Sequence, residues 1–353
     1  MTSYKSQSAK CTKIALWNGT LEFFIYNKSM KKQYPSKYII ETGIGLQDVD
    51  GLKNSTYFIN ESKRYIKGEI TLEELDSIIN TYYENKPHVE DRSEEADKVS
   101  TRIGLMVSED SFTFSSGQLL SIHRTLFQGI LKHPGALRTY NFTKNEWVLD
   151  GDSVTYGDYR ELKDILQYDF EQEKKFQYKG LTIDQVIDHL AVFIANLWQI
   201  HAFEEGNTRT TAVFVIKYLR SLGFDVTNDI FAKNAQYFRN ALVRANYTNI
   251  AKGIYEDRSY LVLFLRNLLL NENNELKNRN LHINPIPPAT DSSKSSMVLN
   301  YIKNNPYITA EELAEEVNAS VRTIKSILKM LVLNKTIKRV DGKRYGYWKV
   351  NEK

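Results

Sequence analysis

Residues 197–212 read LWQIHAFEEGNTRTTA, and this stretch decides the fold. Apolar residues before it recur at spacings of three and four, which is typical of one buried face of a helix of roughly 18 residues. They are Ile183, Val186, Ile187, Leu190, Ile194, Leu197 and Trp198. A second face of the same kind follows, made of Ala212, Val213, Val215, Ile216 and Leu219. The polar residues between them therefore lie in a turn between two buried helices, and Gly206 and Asn207 tolerate the backbone angles of such a turn.

The side chains of this turn predict a phosphate site with a base beside it. His201 has an ordinary pKa near neutrality and can take a proton from a hydroxyl. Asn207 and Thr208 begin the second helix, where free backbone N–H groups bind anions. Glu205 and Asn207 offer hard oxygens to a magnesium ion that bridges phosphates. Arg209 can donate to two phosphate oxygens at once.

The turn resembles the signature of the Fic family, His-x-Phe-x-Asp/Glu-Gly-Asn-x-Arg-x-x-Arg. Six of its seven fixed positions are present, namely His201, Phe203, Glu205, Gly206, Asn207 and Arg209. The resemblance implies transfer of a nucleoside monophosphate, usually AMP from ATP, to a hydroxyl of a protein. It implies that His201 is the base for a hydroxyl that attacks the α-phosphate and expels pyrophosphate. It also assigns nucleotide binding to Gly206, Asn207, Thr208 and Arg209, and magnesium binding to Glu205 and Asn207.

The sequence departs from the signature at its last arginine, where Ala212 stands instead. In the family this arginine binds the outer phosphates and pairs with an inhibitory glutamate from a Ser/Thr-x-x-x-Glu helix. No Ser or Thr of this chain has Glu four residues later. The segment Leu46-Gln47-Asp48 aligns with the family's inhibitory Ile-Glu-Gly, but Gln47 carries no charge. We therefore expect that deletion of residues 1–85 does not release large new activity.

A turn signal precedes the signature. Residues Trp147 to Tyr156 read as two short strands around Asp150-Gly151, a strong hairpin pattern. The resemblance implies that this hairpin is a flap that holds a protein target as an added strand above the turn. An ordinary surface hairpin is the alternative.

Two further residues are candidates for an adenosine pocket. Tyr237 and Asn246 lie in a segment that resembles the Tyr-rich part of that pocket in Fic proteins, although Tyr237 also suits a core position. His123 lies near the apolar face of another helix, and we interpret it as structural.

Composition divides the chain into four regions. Residues 1–100 form an N-terminal helical region, in which Thr71 and Glu74 match a capping box. The resemblance assigns residues 101–284 to the Fic core. Residues 285–296 are a linker rich in Pro and Ser. Residues 297–353 form a separate C-terminal domain.

The C-terminal domain reads as three helices and a hairpin, a pattern typical of a winged helix-turn-helix. From residue 295 to the end, 11 Lys and Arg stand against 6 Asp and Glu, whereas the whole chain has a net charge of +4. Arg322, Lys325 and Lys329 share a helical spacing suited to phosphates or base edges, so residues 320–350 are a candidate DNA interface. A module for protein interaction or dimerisation is the alternative.

The fold expected is thus mainly α: a Fic-type helical bundle with a small β-hairpin flap, an N-terminal helical extension and a C-terminal α+β winged helix. The single cysteine, Cys11, excludes an internal disulfide and fits the reducing cytoplasm. No apolar run approaches the roughly 20 residues that span a bilayer, so no membrane partner is expected. A homodimer is a further option.

Three functions follow from these patterns. The first is a protein adenylyltransferase that uses ATP and magnesium. The second is a DNA-binding regulator whose Fic core senses a nucleotide. The third is a Fic-type transferase with another donor, such as UTP or a phosphorylated alcohol, because Ala212 alters the position that governs the outer phosphates.

Overall fold

A computed structural model of the chain describes residues 11–17, 20–26, 34–85, 92–284, 291–333, 335–340 and 346–351. The chain forms two compact units. The first comprises residues 1–144 and 153–276, and the second comprises residues 145–152 and 277–353. Within the residues described, no helix is both long and apolar enough to cross a membrane.

The first unit begins with two antiparallel strands, β1 (Cys11–Trp17) and β2 (Thr20–Tyr26), which pair from Cys11 opposite Tyr26 to Trp17 opposite Thr20. Three helices follow: α1 (Ser36–Gly45), α2 (Thr56–Ile66) and α3 (Leu72–Glu84). A 3₁₀ turn at Leu46–Asp50 extends α1. The capping box predicted for Thr71 and Glu74 is confirmed, since each side chain accepts a hydrogen bond from the other residue's backbone N–H.

The rest of the first unit is a helical bundle. Its helices are α4 (Ser93–Ser108), α5 (Ser116–Phe127), α6 (Leu162–Lys175), α7 (Ile183–Ile200), α8 (Asn207–Ser221), α9 (Ile230–Ala245) and α10 (Ser259–Leu270). The two helices predicted around the signature turn are α7 and α8. A capping box of Thr182 and Gln185 starts α7. Every residue of α8 from Asn207 to Leu219 is buried, so the turn between α7 and α8 is anchored in the core.

The second unit contains the expected winged helix. It comprises α11 (Asp291–Asn304), α12 (Ala310–Glu316), α13 (Val321–Leu333), β3 (Ile337–Val340) and β4 (Tyr347–Val350). β3 and β4 are antiparallel, with Ile337 opposite Val350. Residues 291–296, which composition assigns to the linker, lie within α11. Residues 285–290 of that linker and 341–345 of the predicted hairpin turn fall outside the described residues.

The strands predicted at 147–156 do not form. The Asp-Gly turn itself is present, since Asp150 and Gly151 have φ of 57° and 86° and the Glu146 N–H donates to the Asp152 carbonyl at 2.9 Å. Trp147–Leu149, however, is a 3₁₀ turn instead of a strand. Its apolar residues are used in tertiary packing: the Trp147 ring contacts His282 and Tyr301 within the second unit, with ring centroids 5.2 and 5.6 Å apart. Packing has overridden the alternation that predicted a hairpin flap.

Candidate active site at the α7–α8 turn

The turn between α7 and α8 is shaped by two residues with positive φ. His201 follows the last residue of α7 and has φ 50° and ψ 56°, and Gly206 precedes α8 with φ 75°. The Asn207 side chain braces the loop between them, because its Oδ1 accepts from the Phe203 N–H at 2.9 Å and its Nδ2 donates to the Phe203 carbonyl at 2.7 Å. Asn207 thus stabilises the turn, and this structural role is separate from its predicted role in metal binding.

The ring of His201 is covered. The residue is 2% exposed, and neither ring nitrogen has a hydrogen-bond partner among the described residues. Tyr156 stacks on the ring with centroids 4.0 Å apart, and Trp198 and Phe142 meet it edge-on at 5.3 and 5.5 Å. Burial, reinforced by nearby basic side chains, lowers the pKa of His201 well below its ordinary value. The imidazole is therefore neutral but closed to an incoming hydroxyl in this conformation.

Gly206 is required by both its backbone angle and its surroundings. A Cβ at this position would lie 2.4 Å from Cε2 and Cζ of Phe127. A side chain cannot be placed there without moving the Phe127 ring, and φ in this region is unfavourable for residues other than glycine. The glycine of the signature thus permits α5 to pack directly against the turn.

His123 is structural, as expected. Its ring stacks on Phe203 with centroids 3.8 Å apart, its Nδ1 accepts from the Gly135 N–H at 2.7 Å, and its Nε2 lies 3.0 Å from the Glu205 carbonyl. Because a backbone N–H must donate to Nδ1, the proton resides on Nε2. Burial lowers the pKa of His123 to about 4. The hydrogen bond to the Glu205 carbonyl acts to raise this pKa, and the positive charge of Arg209 acts to lower it.

Arg209 is fully buried and its charge is neutralised internally. Its Nη2 donates to Glu95 Oε1 at 2.8 Å, its Nε lies 2.8 Å from Asp50 Oδ2, and its Nη1 donates to Gln47 Oε1 at 3.0 Å. Its guanidinium also lies 4.7 Å from the centroid of the Phe127 ring. The guanidinium that would bind phosphate oxygens is therefore held by oxygens of the protein itself.

This arrangement changes the interpretation of the N-terminal region. The chain lacks the Ser/Thr-x-x-x-Glu pattern, yet two carboxylates reach the arginine that the signature retains. Gln47, aligned above with the family's inhibitory glutamate, does contact Arg209, and Asp50 lies three residues further along the same 3₁₀ turn. Since both residues fall within 1–85, the expectation that deleting this region leaves activity unchanged has lost its basis.

Glu205 forms an ion pair with Arg92, which also pairs with Glu95 at 2.7 Å. The Glu205 side chain is 38% exposed, so its carboxylate can be reached from solvent. Across the described ranges, His, Cys, Asp and Glu side chains form no group of three or more placed to hold a metal ion. A single accessible carboxylate suits magnesium that is bound chiefly by phosphates, a common arrangement for this ion.

The remaining predicted residues have structural contacts. Thr208 is buried and accepts a hydrogen bond from Trp198 Nε1 at 2.9 Å. Tyr237 is 2% exposed, and its hydroxyl donates to the Tyr260 carbonyl at 3.3 Å. Asn246 caps the end of α9 and donates to the carbonyls of Ala195 and Leu242 at 3.0 and 2.9 Å. The Tyr237 hydroxyl and the Asn246 amide nitrogen are thus bonded to backbone carbonyls of the protein itself.

Sequence reasoning did not identify several residues of this site. Phe142 and Tyr156 cover His201, Arg138 donates to the His201 carbonyl, and Asp50 and Glu95 hold Arg209. Glu95 lies in the first turn of α4, where an acidic side chain is favoured by the helix dipole, so its position alone does not indicate a contact with Arg209. Nothing in the local sequence distinguishes the aromatic residues from core residues.

Two segments of the chain match models of known protein families. Residues 113–219 match the model of the Fic/DOC family, and residues 294–338 match that of a winged helix-turn-helix DNA-binding family. No curated protein matches the chain.

Solved structures that are similar to the chain include two effector proteins. One is the N-terminal FIC domain of Bep8, a VirB-translocated effector of Bartonella sp. 1-1C, with 16% identity and a TM-score of 0.35 over 56% of this chain and 82% of that one. The other is the type IV secretion system effector protein BepA, with 17% identity and a TM-score of 0.34 over 62% of this chain and 63% of that one. The match thus spans less than two thirds of BepA, and scores this low do not place individual residues. From the family models, residues 113–219 are a domain of the Fic/DOC family, followed by a winged helix-turn-helix domain.

Proposed function

We propose that the protein is a Fic-type protein adenylyltransferase, which transfers AMP from ATP to a hydroxyl side chain of a protein target. The observation that supports this most is the α7–α8 turn, where His201 ends one buried helix and Gly206, Asn207 and Arg209 begin the next. A base, a helix N-terminus and a guanidinium are the groups that an attack on a phosphate needs.

The chemistry follows from these groups. The target's hydroxyl oxygen forms a bond to the α-phosphorus while His201 accepts the hydroxyl proton. The bond between the α-phosphorus and the oxygen leading to the β-phosphate breaks, and pyrophosphate leaves. In the covered state the low pKa of His201 makes it a weak base. Solvent and phosphate at an opened site would return the pKa toward its ordinary value of about 6.5.

Magnesium fits the site through Glu205, whose carboxylate is accessible once Arg92 releases it. Asn207 remains a second candidate ligand, although its oxygen already accepts from Phe203. Magnesium, when bound, would neutralise part of the phosphate charge. That neutralisation matters here because Asp50 and Glu95 repel an incoming phosphate.

Labelling with ATP that carries a radioactive α-phosphate, in the presence of magnesium, tests the proposal. Two forms are compared: the intact chain and a form in which Asp50→Asn and Glu95→Gln remove the negative charges paired with Arg209. Label should appear on protein in the second form and disappear when His201→Ala is added. If neither form carries label above the His201→Ala background with any donor, the protein is not a nucleotidyltransferase.

The same assay addresses the alternative donors. Ala212 cannot contact the outer phosphates, so ATP and other donors are compared with each other, including UTP and a phosphorylated alcohol such as CDP-choline. Label from the α-phosphate of UTP, or transfer of the phosphoalcohol, in place of AMP would identify a different transferase.

A second candidate function is supported by the C-terminal unit. α13 exposes Arg322, Lys325 and Lys329 on one face, and the segment matches a DNA-binding family model. We propose that the unit binds duplex DNA through this helix. Binding to a duplex that weakens steeply with added salt, combined with absence of labelling from every donor, would favour a regulator whose Fic core senses a nucleotide.

A further inference from the structure

One buried guanidinium connects the signature turn to the loop that precedes α6. Arg138 donates from Nε to the His201 carbonyl at 2.8 Å and from Nη1 to the Tyr140 carbonyl at 2.7 Å. Its Nη1 also donates to Asn141 Oδ1 at 3.0 Å, and its Nη2 donates to the Gly157 carbonyl. The Arg138 backbone N–H donates to the Ala202 carbonyl at 2.9 Å. Arg138 thus joins three chain segments at one point.

Among the described residues, every hydrogen-bond acceptor of this guanidinium is a neutral oxygen. Asp158, the nearby acid that acts on its charge, is paired with Arg160 instead, at 2.8 Å. An arginine that is 2% exposed and has no carboxylate in hydrogen-bond contact is poorly explained as a stabilising ion pair. Its five donors in a rigid plane are well suited to fixing the relative positions of several carbonyls.

The carbonyl that accepts from Nε belongs to His201, one of several residues with a side chain and a positive φ. His201 has φ 50°, a conformation that costs a side-chain-bearing residue roughly 1 kcal/mol. Hydrogen bonds from Arg138 to His201, and from its backbone to Ala202, compensate for this cost. They set the direction in which the imidazole leaves the chain.

The two aromatic residues that cover His201 are adjacent in sequence to residues that Arg138 binds. On one side the held residues are Tyr140 and Asn141, and Phe142 follows. On the other side the held residue is Gly157, and Tyr156 precedes it. The Arg138 guanidinium also lies 5.4 Å from the centroid of the Phe142 ring. Phe142 and Tyr156 can therefore move off His201 by rotation around residues that stay fixed.

We propose that Arg138 is a positioning residue, which holds the main chain of His201 in place and is the fixed pivot of an aromatic lid made of Phe142 and Tyr156. The lid must lift before a hydroxyl reaches the ring, and Arg138 keeps the turn unchanged when it does. The part that concerns turnover rests on the proposed transferase function. The part that concerns access to the ring does not.

Access is measured without any nucleotide. The rate at which diethylpyrocarbonate modifies His201, followed by peptide mass spectrometry, is compared between the intact chain and Phe142→Ala/Tyr156→Ala. We expect the double variant to react about tenfold faster, equivalent to removing ~1.4 kcal/mol of closure. Tyr159→Ala, which removes a 40% exposed ring three residues from Tyr156, is the matched control and should leave the rate unchanged. Equal rates in the lid variant and the intact chain would overturn the lid.

The positioning role is tested by Arg138→Gln and Arg138→Lys in the background with Asp50→Asn and Glu95→Gln. We expect Arg138→Gln to lower kcat by about 100-fold with KM for ATP unchanged, because a base displaced by about 1 Å loses that much. Arg138→Lys, which keeps a donor and the charge, should recover part of kcat. The variants' Tm is measured alongside.

Two results would overturn the positioning role. One is an unchanged kcat in Arg138→Gln. The other is a parallel loss of kcat, of ATP affinity and of Tm, without recovery by Arg138→Lys, which indicates a folding role alone. If the background form with Arg138 intact carries no label, the transferase proposal fails. The positioning role is then decided by the rate at which diethylpyrocarbonate modifies His201. A faster rate in Arg138→Gln with an unchanged Tm, and a return to the original rate in Arg138→Lys, supports it.

Discussion

Arg209 is the residue whose environment most constrains the activity. Three oxygens of the chain, from Glu95, Asp50 and Gln47, surround the guanidinium that the proposed function assigns to phosphate binding. A nucleotide must displace them, and the displaced carboxylates would repel it. Asp50→Asn with Glu95→Gln removes the two negative charges that would repel a phosphate, so we expect the Kd for magnesium-ATP to fall about tenfold, or ~1.4 kcal/mol, in isothermal titration calorimetry.

A neighbouring carboxylate provides the control for that measurement. Glu94 pairs with Lys98 at 2.7 Å, whereas Arg209 pairs with Asp50 and Glu95, so Glu94→Gln removes one charge from the same helical turn without changing an ion pair of Arg209. Its Kd should match that of the unchanged chain. An equal gain in affinity for Glu94→Gln would mean that general charge reduction, and not release of Arg209, explains the effect.

His123 makes the fold sensitive to acid. Its pKa is lowered to about 4 in the folded chain, mainly by burial, and is about 6.5 in the unfolded chain. The unfolded state therefore binds more protons below pH 6.5, and the stabilisation is lost as pH falls from there toward 4. At pH 5 the loss is about 2 kcal/mol relative to pH 7.

Urea unfolding at pH 7 and pH 5 measures this dependence. His123→Gln retains hydrogen-bonding groups but does not titrate, so its free energy of unfolding should change by about 2 kcal/mol less between the two pH values. His201, whose pKa is lowered in the same direction, contributes a similar dependence in both proteins. An identical pH dependence with and without His123 would refute the assignment.

At the scale of elements, contact between α5 and the turn before α8 determines whether the site forms. Gly206→Ala introduces a Cβ 2.4 Å from the Phe127 ring at a residue with φ 75°. We expect it to lower the free energy of unfolding by at least about 2 kcal/mol. Phe127→Ala would make room for the methyl group, so the double variant should be more stable than the sum of the single effects by about 1 kcal/mol. Additive effects in chemical unfolding would show that the backbone angle alone matters.

The elements that the sequence predicts well are those encoded by neighbours. The periodic apolar residues of α7 and α8, the capping box at Thr71 and the Asp150-Gly151 turn each depend on residues a few positions apart. The contacts that control the site are not local. Glu95 meets Arg209 across 114 positions, and Tyr156 meets His201 through a loop with no regular structure. The spacing of apolar residues along the chain does not reveal such pairs, so the sequence did not predict the acidic partners of Arg209 or the lid over His201.

The residues that flank the Asp150-Gly151 turn show that tertiary contacts can override a local sequence pattern. Val148 and Leu149 carry the β-branched and aliphatic pattern of a strand, but both are fully buried and the Val148 carbonyl accepts from the Ile283 N–H at 2.9 Å. A hydrogen-bond partner from a distant segment replaces the strand that the hairpin would have supplied. Local propensity determined the turn, and tertiary contact determined its flanks.

At the scale of the whole molecule, the chain enters the C-terminal unit twice. Residues 145–152 belong to that unit although they lie between Phe142 and Tyr156 in sequence. A truncation after residue 276 therefore removes the cover of Val148 and Leu149. We expect the truncated chain to bind the dye ANS and to be cleaved by protease at residues 145–152 much faster than the full chain. Equal cleavage rates would show that this segment is held without the C-terminal unit.

The basic face of α13 in the winged helix should determine how strongly duplex binding depends on salt. The proposed duplex binding uses Arg322, Lys325 and Lys329, which are exposed on α13. Each phosphate contact contributes about −0.9 to the slope of log K against log salt, so changing all three residues to Ala should make that slope shallower by about 2 to 3. Lys63, Lys179 and Lys252, exposed lysines of the first unit, provide a control with the same loss of charge. If the control triple weakens binding to a fluorescent duplex equally, net charge and not α13 accounts for the affinity. If neither triple changes the slope, the C-terminal unit is a protein-interaction module.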